Sequence, residues 1–428
     1  MIVLRRRTRR LIAAAIAGTA IVAPLAACTS TSSQGGPTSI TFSYLWGGPE
    51  GKALEKIISD YNASQSEVKV VGVSSPDSQK QLTAMSSSKG SFDISDNFGN
   101  TVGAWASKGI LAPLDSYLSS NHINTSDFAP SAMSQMKYNG KTYALPIAVH
   151  SFQLLYNKSM LEQAGLTPPT TMDELAADAA KLTKVDASGK ITQLGFGSPD
   201  DPTTLTTLGY AFGGSWDGKN KPTPDTAANA KALAWYQDNI VKKIGADKLA
   251  AFKGGEGQYL SAQDPFYSGQ VAMAIDGEWR AASAPVVAPN LQWGVTSIPT
   301  AVPGIKDATQ VTASTLFIPA NSQHKDAAAK FLAYMVGKKA MASFTVALGN
   351  LPSRLSLIGD SAYSKLPNFD VWAKALKSPN AKSLSSAPYS AQYATDLGTA
   401  FDQVVRDAAT PSDALKQVQS RVSTYATH

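Results

Sequence analysis

Residues 40–73 read ITFSYLWGGPEGKALEKIISDYNASQSEVKVVGV, and their periodicity decides the fold class. Ile40, Phe42 and Tyr44 alternate with Thr41 and Ser43, the two-residue period of a strand. Leu54, Ile57, Ile58 and Tyr61 then recur at i, i+3, i+4 and i+7, which places them on one stripe of a helix. Val68, Val70 and Val73 begin a second strand. A helix that returns the chain to a second strand of the same sheet makes the two strands parallel, so the class expected is α/β.

The rhythm continues outward from that unit. Pro168-Pro169-Thr170-Thr171 ends an extended segment, and Thr171 with Glu174 has the spacing of a capping box. A helix over Leu175, Ala179 and Leu182 is therefore expected, with another around Leu233, Tyr236 and Ile240. Val271, Met273 and Ile275 alternate as a strand, as do Leu291, Trp293 and Val295. Helical spacing returns at Ala328, Phe331, Leu332 and Met335, and Pro411 and Ser412 open a last helix through Leu415, Val418 and Val422. No repeat of fixed period is visible, which speaks against a solenoid or propeller. At 428 residues the chain exceeds one ordinary core, so two lobes are expected.

The N terminus has a different character. MIVLRRRTRR carries five arginines, and the next seventeen residues, LIAAAIAGTAIVAPLAA, carry no charge before Cys28. A basic region followed by an apolar one reads as an export signal over residues 1–27. Seventeen residues lie at the short edge of what crosses a bilayer, and the many small side chains speak against a spanning helix. Leu25-Ala26-Ala27-Cys28 resembles the lipobox of bacterial lipoproteins, in which the peptide is cut before the cysteine and the thiol is acylated. A chance small residue in a signal cleaved elsewhere is the competing reading, against which stands the fact that Cys28 is the sole cysteine. Residues 28–37 then form a lipidated cysteine and flexible linker, and the protein is held at the outer face of the cytoplasmic membrane. The arginines suit either a general secretory or a twin-arginine route.

The net charge of +6 includes those five arginines, leaving +1 for the exported chain. Beyond residue 28 no basic run occurs, so nucleic acid is not an expected partner. No nucleotide-binding GxxxxGK[ST] run, GxSxG elbow or HExxH pair is present, and the four histidines are scattered. No cofactor, metal or catalytic residue is expected.

Gly140-Lys141-Thr142-Tyr143-Ala144-Leu145-Pro146-Ile147, then Leu154-Leu155-Tyr156-Asn157-Lys158 and Ala164-Gly165-Leu166, form a longer signature. It resembles that of family 1 bacterial extracellular solute-binding proteins, the sugar-binding components of ABC importers. Three further stretches extend the likeness in the same order: Gly269 to Trp279, Trp293 through Pro299, and Leu316-Phe317-Ile318-Pro319-Ala320. The resemblance implies a two-lobed periplasmic-binding-protein-like (type II) fold with discontinuous lobes and a hinge. Crossings are placed near Pro146, Pro299 and Gly337, giving an N-terminal lobe of 38–145 plus 300–336 and a C-terminal lobe of 146–299 plus 337–428. It also implies a monomer that binds a small hydrophilic ligand, a mono- or oligosaccharide, and delivers it to transmembrane permease subunits.

A sugar offers hydroxyls at its rim and C–H groups on its faces, so its site needs aromatic platforms and short polar groups. Trp279, at the end of the strand ending Asp276-Gly277, is the first platform expected, since the family often places a ligand-stacking tryptophan there. The competing reading is a core ring, but Glu278 and Arg280 beside it read as a solvent-facing loop. Trp216, among the turn residues of Gly213-Gly214-Ser215-Trp216-Asp217-Gly218, is open between cleft and core. Trp46, with Glu50 in the same loop, follows the carboxyl end of a parallel strand, where open α/β sheets bind ligands. Tyr393 or Tyr389 would add a ring from the C-terminal part, or be buried. Trp105, Trp235, Trp293 and Trp372 fall within apolar patterns and read as structural.

Among polar candidates, Asn97 and Asn100 follow a strand expected to end near Ile94. A maltodextrin-binding member of the family carries an aromatic residue and an acid at the matching positions, so these amides speak against a maltodextrin-type ligand. His150 stands where that relative has a ligand-binding glutamate, with a merely structural histidine as the alternative. Asp77, Thr312 and Ser314 lie in strand-end loops, and Arg354 is open between ligand contact and packing between lobes. Two other classes compete: a secreted carbohydrate-active hydrolase built from distant carboxylates, and a receptor for a non-sugar solute such as a polyamine, a peptide or a metal ion. The absence of a Tyr-Tyr pair and the few histidines argue against the metal.

Overall fold

The alternating strand forms as read. In a computed structural model, which describes residues 36–426 apart from Pro76 and segments 198–200 and 219–220, it spans Thr38–Tyr44 with Ile40, Phe42 and Tyr44 buried. The export signal and Cys28 lie outside the described residues. Helix Gly48–Ser64 buries Leu54, Ile57, Ile58 and Tyr61, and strand Val68–Ser74 returns parallel to the first, Ile40 opposite Val70. A third parallel strand, Ile94–Phe98, pairs on the other side, Phe42 opposite Ile94.

From there the sheet continues into antiparallel strands. Thr309–Phe317 follows Ile94–Phe98, then Ala144–Asn157, Val271–Gly277 and, parallel to the last, Ile191–Phe196. The fourteen-residue strand Ala144–Asn157 is the axis of the molecule. Its first half, Ala144 to Ser151, pairs with Thr309–Phe317, and its second half, Phe152 to Tyr156, pairs with Val271–Gly277. Every residue except Tyr156 is buried, because both faces of the sheet are covered there. That is why the stretch reads as a continuous apolar run rather than as an alternation. The capping box at Thr171 and Glu174 opens helix Met172–Leu182, and Thr410 caps the last helix, Pro411–Tyr425.

Buried side chains fall into two clusters that meet along this strand. The first takes Ile40 to Val149 and Val311 to Leu376, with Leu155, Phe266, Tyr267, Ala281, Ala284, Trp293 and Val295 from the stretch between; the second takes the rest of Phe152 to Ala308 and then Leu384 to Val422. The membership changes between Val149 and Phe152, and changes back between Ala308 and Val311. The third change does not lie near Gly337. Helix Lys338–Leu348 and helix Phe369–Ala375 bury Met341, Phe344, Leu348, Phe369 and Trp372 in the first cluster, and the chain changes sides only between Leu376 and Leu384. Segment 337–376 therefore belongs with the N-terminal part, because the apolar stripe of Lys338–Leu348 faces helix Gly48–Ser64, whose neighbouring Trp46 ring packs edge-on against Phe344 at 5.0 Å.

Candidate ligand-binding cleft

A cavity of about 530 Å³ opens between the two clusters. Its second-cluster wall is built around Trp279. Strand Val271–Gly277 ends in a glycine over which the indole folds back; a Cβ at Gly277 would collide with the six-membered ring of Trp279. The indole is half-buried, edge-on to His150 at 5.7 Å and to Phe152 at 5.8 Å. Its Nε1–H donates to the Tyr259 hydroxyl at 2.7 Å, and that hydroxyl donates to Asp276 Oδ1 at 2.9 Å.

Glu278 and Arg280 are not on a solvent-facing loop. Both are fully buried. Arg280 Nε donates to Asp276 Oδ2 at 2.6 Å, and its Nη1 lies 3.0 Å from Asp264 Oδ2. Burial works against the guanidinium charge, but the carboxylates of Asp276 and Asp264 outweigh it and hold the proton more firmly than usual. The rings of Tyr259 and Tyr267 cover the guanidinium at 4.7 and 4.5 Å. Glu278 instead turns inward toward the long strand, with Oε1 2.8 Å from His150 Nδ1 and Oε2 accepting from the Ser151 N–H at 3.3 Å. His150 Nε2 lies 3.0 Å from Ser314 Oγ, so the imidazole is held on both nitrogens at the point where the two halves of the long strand meet.

The opposite wall comes from the first cluster. Trp46 and Glu50 sit where strand Thr38–Tyr44 runs into helix Gly48–Ser64, and Thr312 and Ser314 project from Thr309–Phe317. Asn100 lies in the first turn of helix Gly99–Ser107, and its Oδ1 is buried without a hydrogen-bond partner among the described residues. Gln135 Oε1, also on this wall, is in the same condition. A buried acceptor left unpaired costs about 1–3 kcal/mol, and Gln135 Oε1 packs against Gly99, where a Cβ would collide with it. Phe98 adds an aromatic face that is 54% exposed.

Trp46, Glu50, Asn100, His150, Trp279, Thr312 and Ser314 are thus brought together. The other five candidates are not. Asn97 lies within strand Ile94–Phe98, which begins rather than ends at Ile94; its amide donates inward to Gln81 at 2.7 Å. Asp77 caps helix Ser78–Ser86, accepting from the Gln79 and Lys80 N–H groups. Trp216 is fully buried with its Nε1–H donating to the Thr206 carbonyl, and Tyr393, equally buried, donates to the Trp216 carbonyl at 2.7 Å. Arg354 donates to the Val336 carbonyl at 2.6 Å, pairs with Asp127 and lies over the Phe128 ring, all within the first cluster. Tyr389 is buried against Tyr425. Trp105, Trp235, Trp293 and Trp372 are buried as expected.

Sequence reading missed Phe98, Gln135, Phe152, Tyr259, Gln310 and Asn350 on the lining. Phe98 stands between the two candidate amides Asn97 and Asn100, and that position was the available signal. The others face the cleft through packing that no local pattern announces.

Asp96, beneath the Trp46 loop, is buried and accepts the Leu45 N–H at 2.8 Å. Burial pushes its carboxyl up to about 8, against an ordinary value of 3.8. A raised carboxyl favours the folded state fully only below the ordinary value, and the advantage falls by about 1.4 kcal/mol per pH unit as pH rises toward the folded one. Asp96→Asn keeps the acceptor and removes the titration. Its melting temperature relative to wild type is expected to climb steadily from pH 5 to pH 8, reaching several degrees; a difference independent of pH would show that Asp96 does not titrate in this window.

Comparison with known proteins agrees with this architecture. The family model for bacterial extracellular solute-binding proteins matches residues 46–342. A binding protein of Brucella abortus (strain 2308) is 29% identical over 72% of this chain and 75% of its own. The maltotriose-binding protein of Pyrococcus abyssi is 22% identical over 84% of this chain and 75% of its own. Among solved structures, CpMnBP1 with mannobiose bound superposes with a TM-score of 0.77 at 28% identity, over 90% of this chain and 99% of that one. The fold is the two-lobed type II arrangement of sugar-binding proteins such as MalE of Xanthomonas citri, with a TM-score of 0.76 at 19% identity, over 91% of this chain and 97% of that one.

Proposed function

The chain belongs to the bacterial extracellular solute-binding proteins, a family of binders rather than enzymes, and from that premise we propose that it captures a short saccharide in the cleft and passes it to the permease of an ABC importer. The observation that carries the reading is that the Trp279 indole and an exposed Phe98 line one cavity together with the amides of Asn100 and Gln135 and the hydroxyls of Thr312 and Ser314. Rings stack on the C–H faces of a sugar, and amide and hydroxyl groups meet its hydroxyls. Among the described lining residues the charged candidates are Glu50 and His150, and His150 is already engaged by Glu278 and Ser314, so a single carboxylate faces an otherwise neutral lining, which suits an uncharged ligand better than a polyamine. The mannobiose held by CpMnBP1 supports the choice of class.

Trp46, Glu50, Asn100, His150, Trp279, Thr312 and Ser314 are the contacts proposed. One side of the cleft binds first and the other closes over it by bending at the three crossings, so that ligand affinity shifts the open–closed balance. Lipidation of Cys28 keeps the monomer at the outer face of the membrane near its permease, whose partner supplies the ATP hydrolysis. Thermal-shift measurements with mannobiose, mannotriose, maltotriose, hexoses and spermidine test the reading. A saccharide at a hundred times its Kd is expected to stabilise the protein by about 2.7 kcal/mol, with the sugar recovered unchanged. A shift with spermidine alone, or conversion of the saccharide, would sink it.

A further inference from the structure

We propose that Tyr259 is the residue that positions Trp279, fixing the indole as a flat platform that the ligand meets only through its π face. The inference rests on the saccharide reading of the cleft. The Tyr259 hydroxyl accepts the indole N–H at 2.7 Å and donates its own proton to Asp276 at 2.9 Å. An indole has one donor and no acceptor, so nothing polar on the Trp279 ring is left for a ligand. What remains is the ring face, which suits the C–H side of a pyranose.

Tyr259 can hold the ring still because it is itself anchored. Asp276 is clamped by Arg280 Nε at 2.6 Å, and its backbone carbonyl accepts the Trp372 indole N–H at 3.1 Å. The loop carrying Tyr259 is tied to the same arginine from the other side: Asp264, 3.0 Å from Arg280 Nη1, accepts the N–H groups of Leu260, Phe266 and Tyr267. Leu260 takes φ +60°, a costly backbone for a branched side chain, and lines the cavity next to Tyr259. A chain of fixed groups thus runs from a fully buried ion pair to the half-buried indole. Tyr259 is 40% exposed, so core filling does not explain its place. A ring already held in its bound orientation spares the ligand the cost of ordering it.

Tyr259→Phe tests this, because it keeps the ring over Arg280 and deletes only the hydroxyl. The seven tryptophans are labelled with 15N, and the indole signal missing from Trp279→Phe identifies Trp279. In Tyr259→Phe that signal is expected to move and exchange faster with water, and affinity for the best saccharide of the mannobiose, mannotriose and maltotriose set is expected to fall about fivefold to tenfold, the effect of one hydrogen bond, with little change in melting temperature. Unchanged affinity overturns the inference while leaving the saccharide reading standing. Lost affinity with an unmoved indole signal overturns it too, since the hydroxyl would then contact the ligand directly. A wild-type protein that binds none of the three overturns both.

Discussion

Trp279→Ala is expected to weaken saccharide binding by about thirtyfold or more, the 2 kcal/mol or greater that a buried aromatic anchor contributes, in a protein that remains folded. The ring meets His150 and Phe152 in T-shaped contacts and is half-buried at the cavity, so its removal leaves no sealed void in either apolar cluster. Tyr259 loses a donor but keeps Asp276 as its acceptor, and its hydroxyl can take a water in place of the indole. Calorimetric titration measures the first effect and a circular-dichroism melt the second. A variant that unfolds would make Trp279 a core residue, and the assignment of the cleft's main platform would fail with it.

The largest loss of stability is expected from Arg280→Leu. The substitution leaves two fully buried carboxylates, Asp264 and Asp276, without their shared cation, and breaking such an arrangement by removing one partner costs about 3–5 kcal/mol. The melting temperature falls accordingly by about five degrees. The pH dependence has a definite sign. Unpaired in a dry site, the carboxylates favour their neutral forms, so the folded variant binds protons that the unfolded chain releases; the deficit relative to wild type grows from pH 5 to pH 8 and shrinks on acidification. Arg280→Lys retains a cation and is expected to recover part of the loss. Melts of the three proteins at the two pH values check the whole pattern. A deficit under 0.5 kcal/mol, the figure typical of an exposed loop, would mean that the buried ion pair is not formed.

That second prediction runs against the local reading of residues 278–280, and the contrast locates the limit of such reading. Two charged residues flanking a tryptophan look exposed because charge is seldom buried alone. Neither is alone here: Glu278 meets His150, 128 positions earlier in the chain, and Arg280 meets Asp264 in a separate loop. Trp216 fails in the opposite sense, since its glycine-rich surroundings read as an open turn while its indole is paired with the Thr206 carbonyl within the second cluster. Asn97 reads as a loop residue because the polar run Ser95-Asp96-Asn97 hides a strand whose side chains find hydrogen-bond partners far along the chain, the Leu45 N–H for Asp96 and Gln81 for Ser95 and Asn97.

Features held together over a few residues were legible throughout. The 40–44 alternation, the helical stripe of Leu54 to Tyr61 and the Thr171–Glu174 capping box each depend on neighbours within about two helical turns, and each formed as read. The signature from Gly140 to Leu166 carried family membership for the same reason: spacing survives in the chain itself. By itself, then, the sequence determined the α/β class, the family and the stretches of chain that supply Trp46, Asn100, His150 and Trp279. Only the tertiary structure decided which of those side chains share a cavity, that segment 337–376 packs with the first cluster, and that Glu278 and Arg280 are inside. Burial and ion pairing are properties of two surfaces that meet, and the second surface lies too far along the chain to leave its mark on the first.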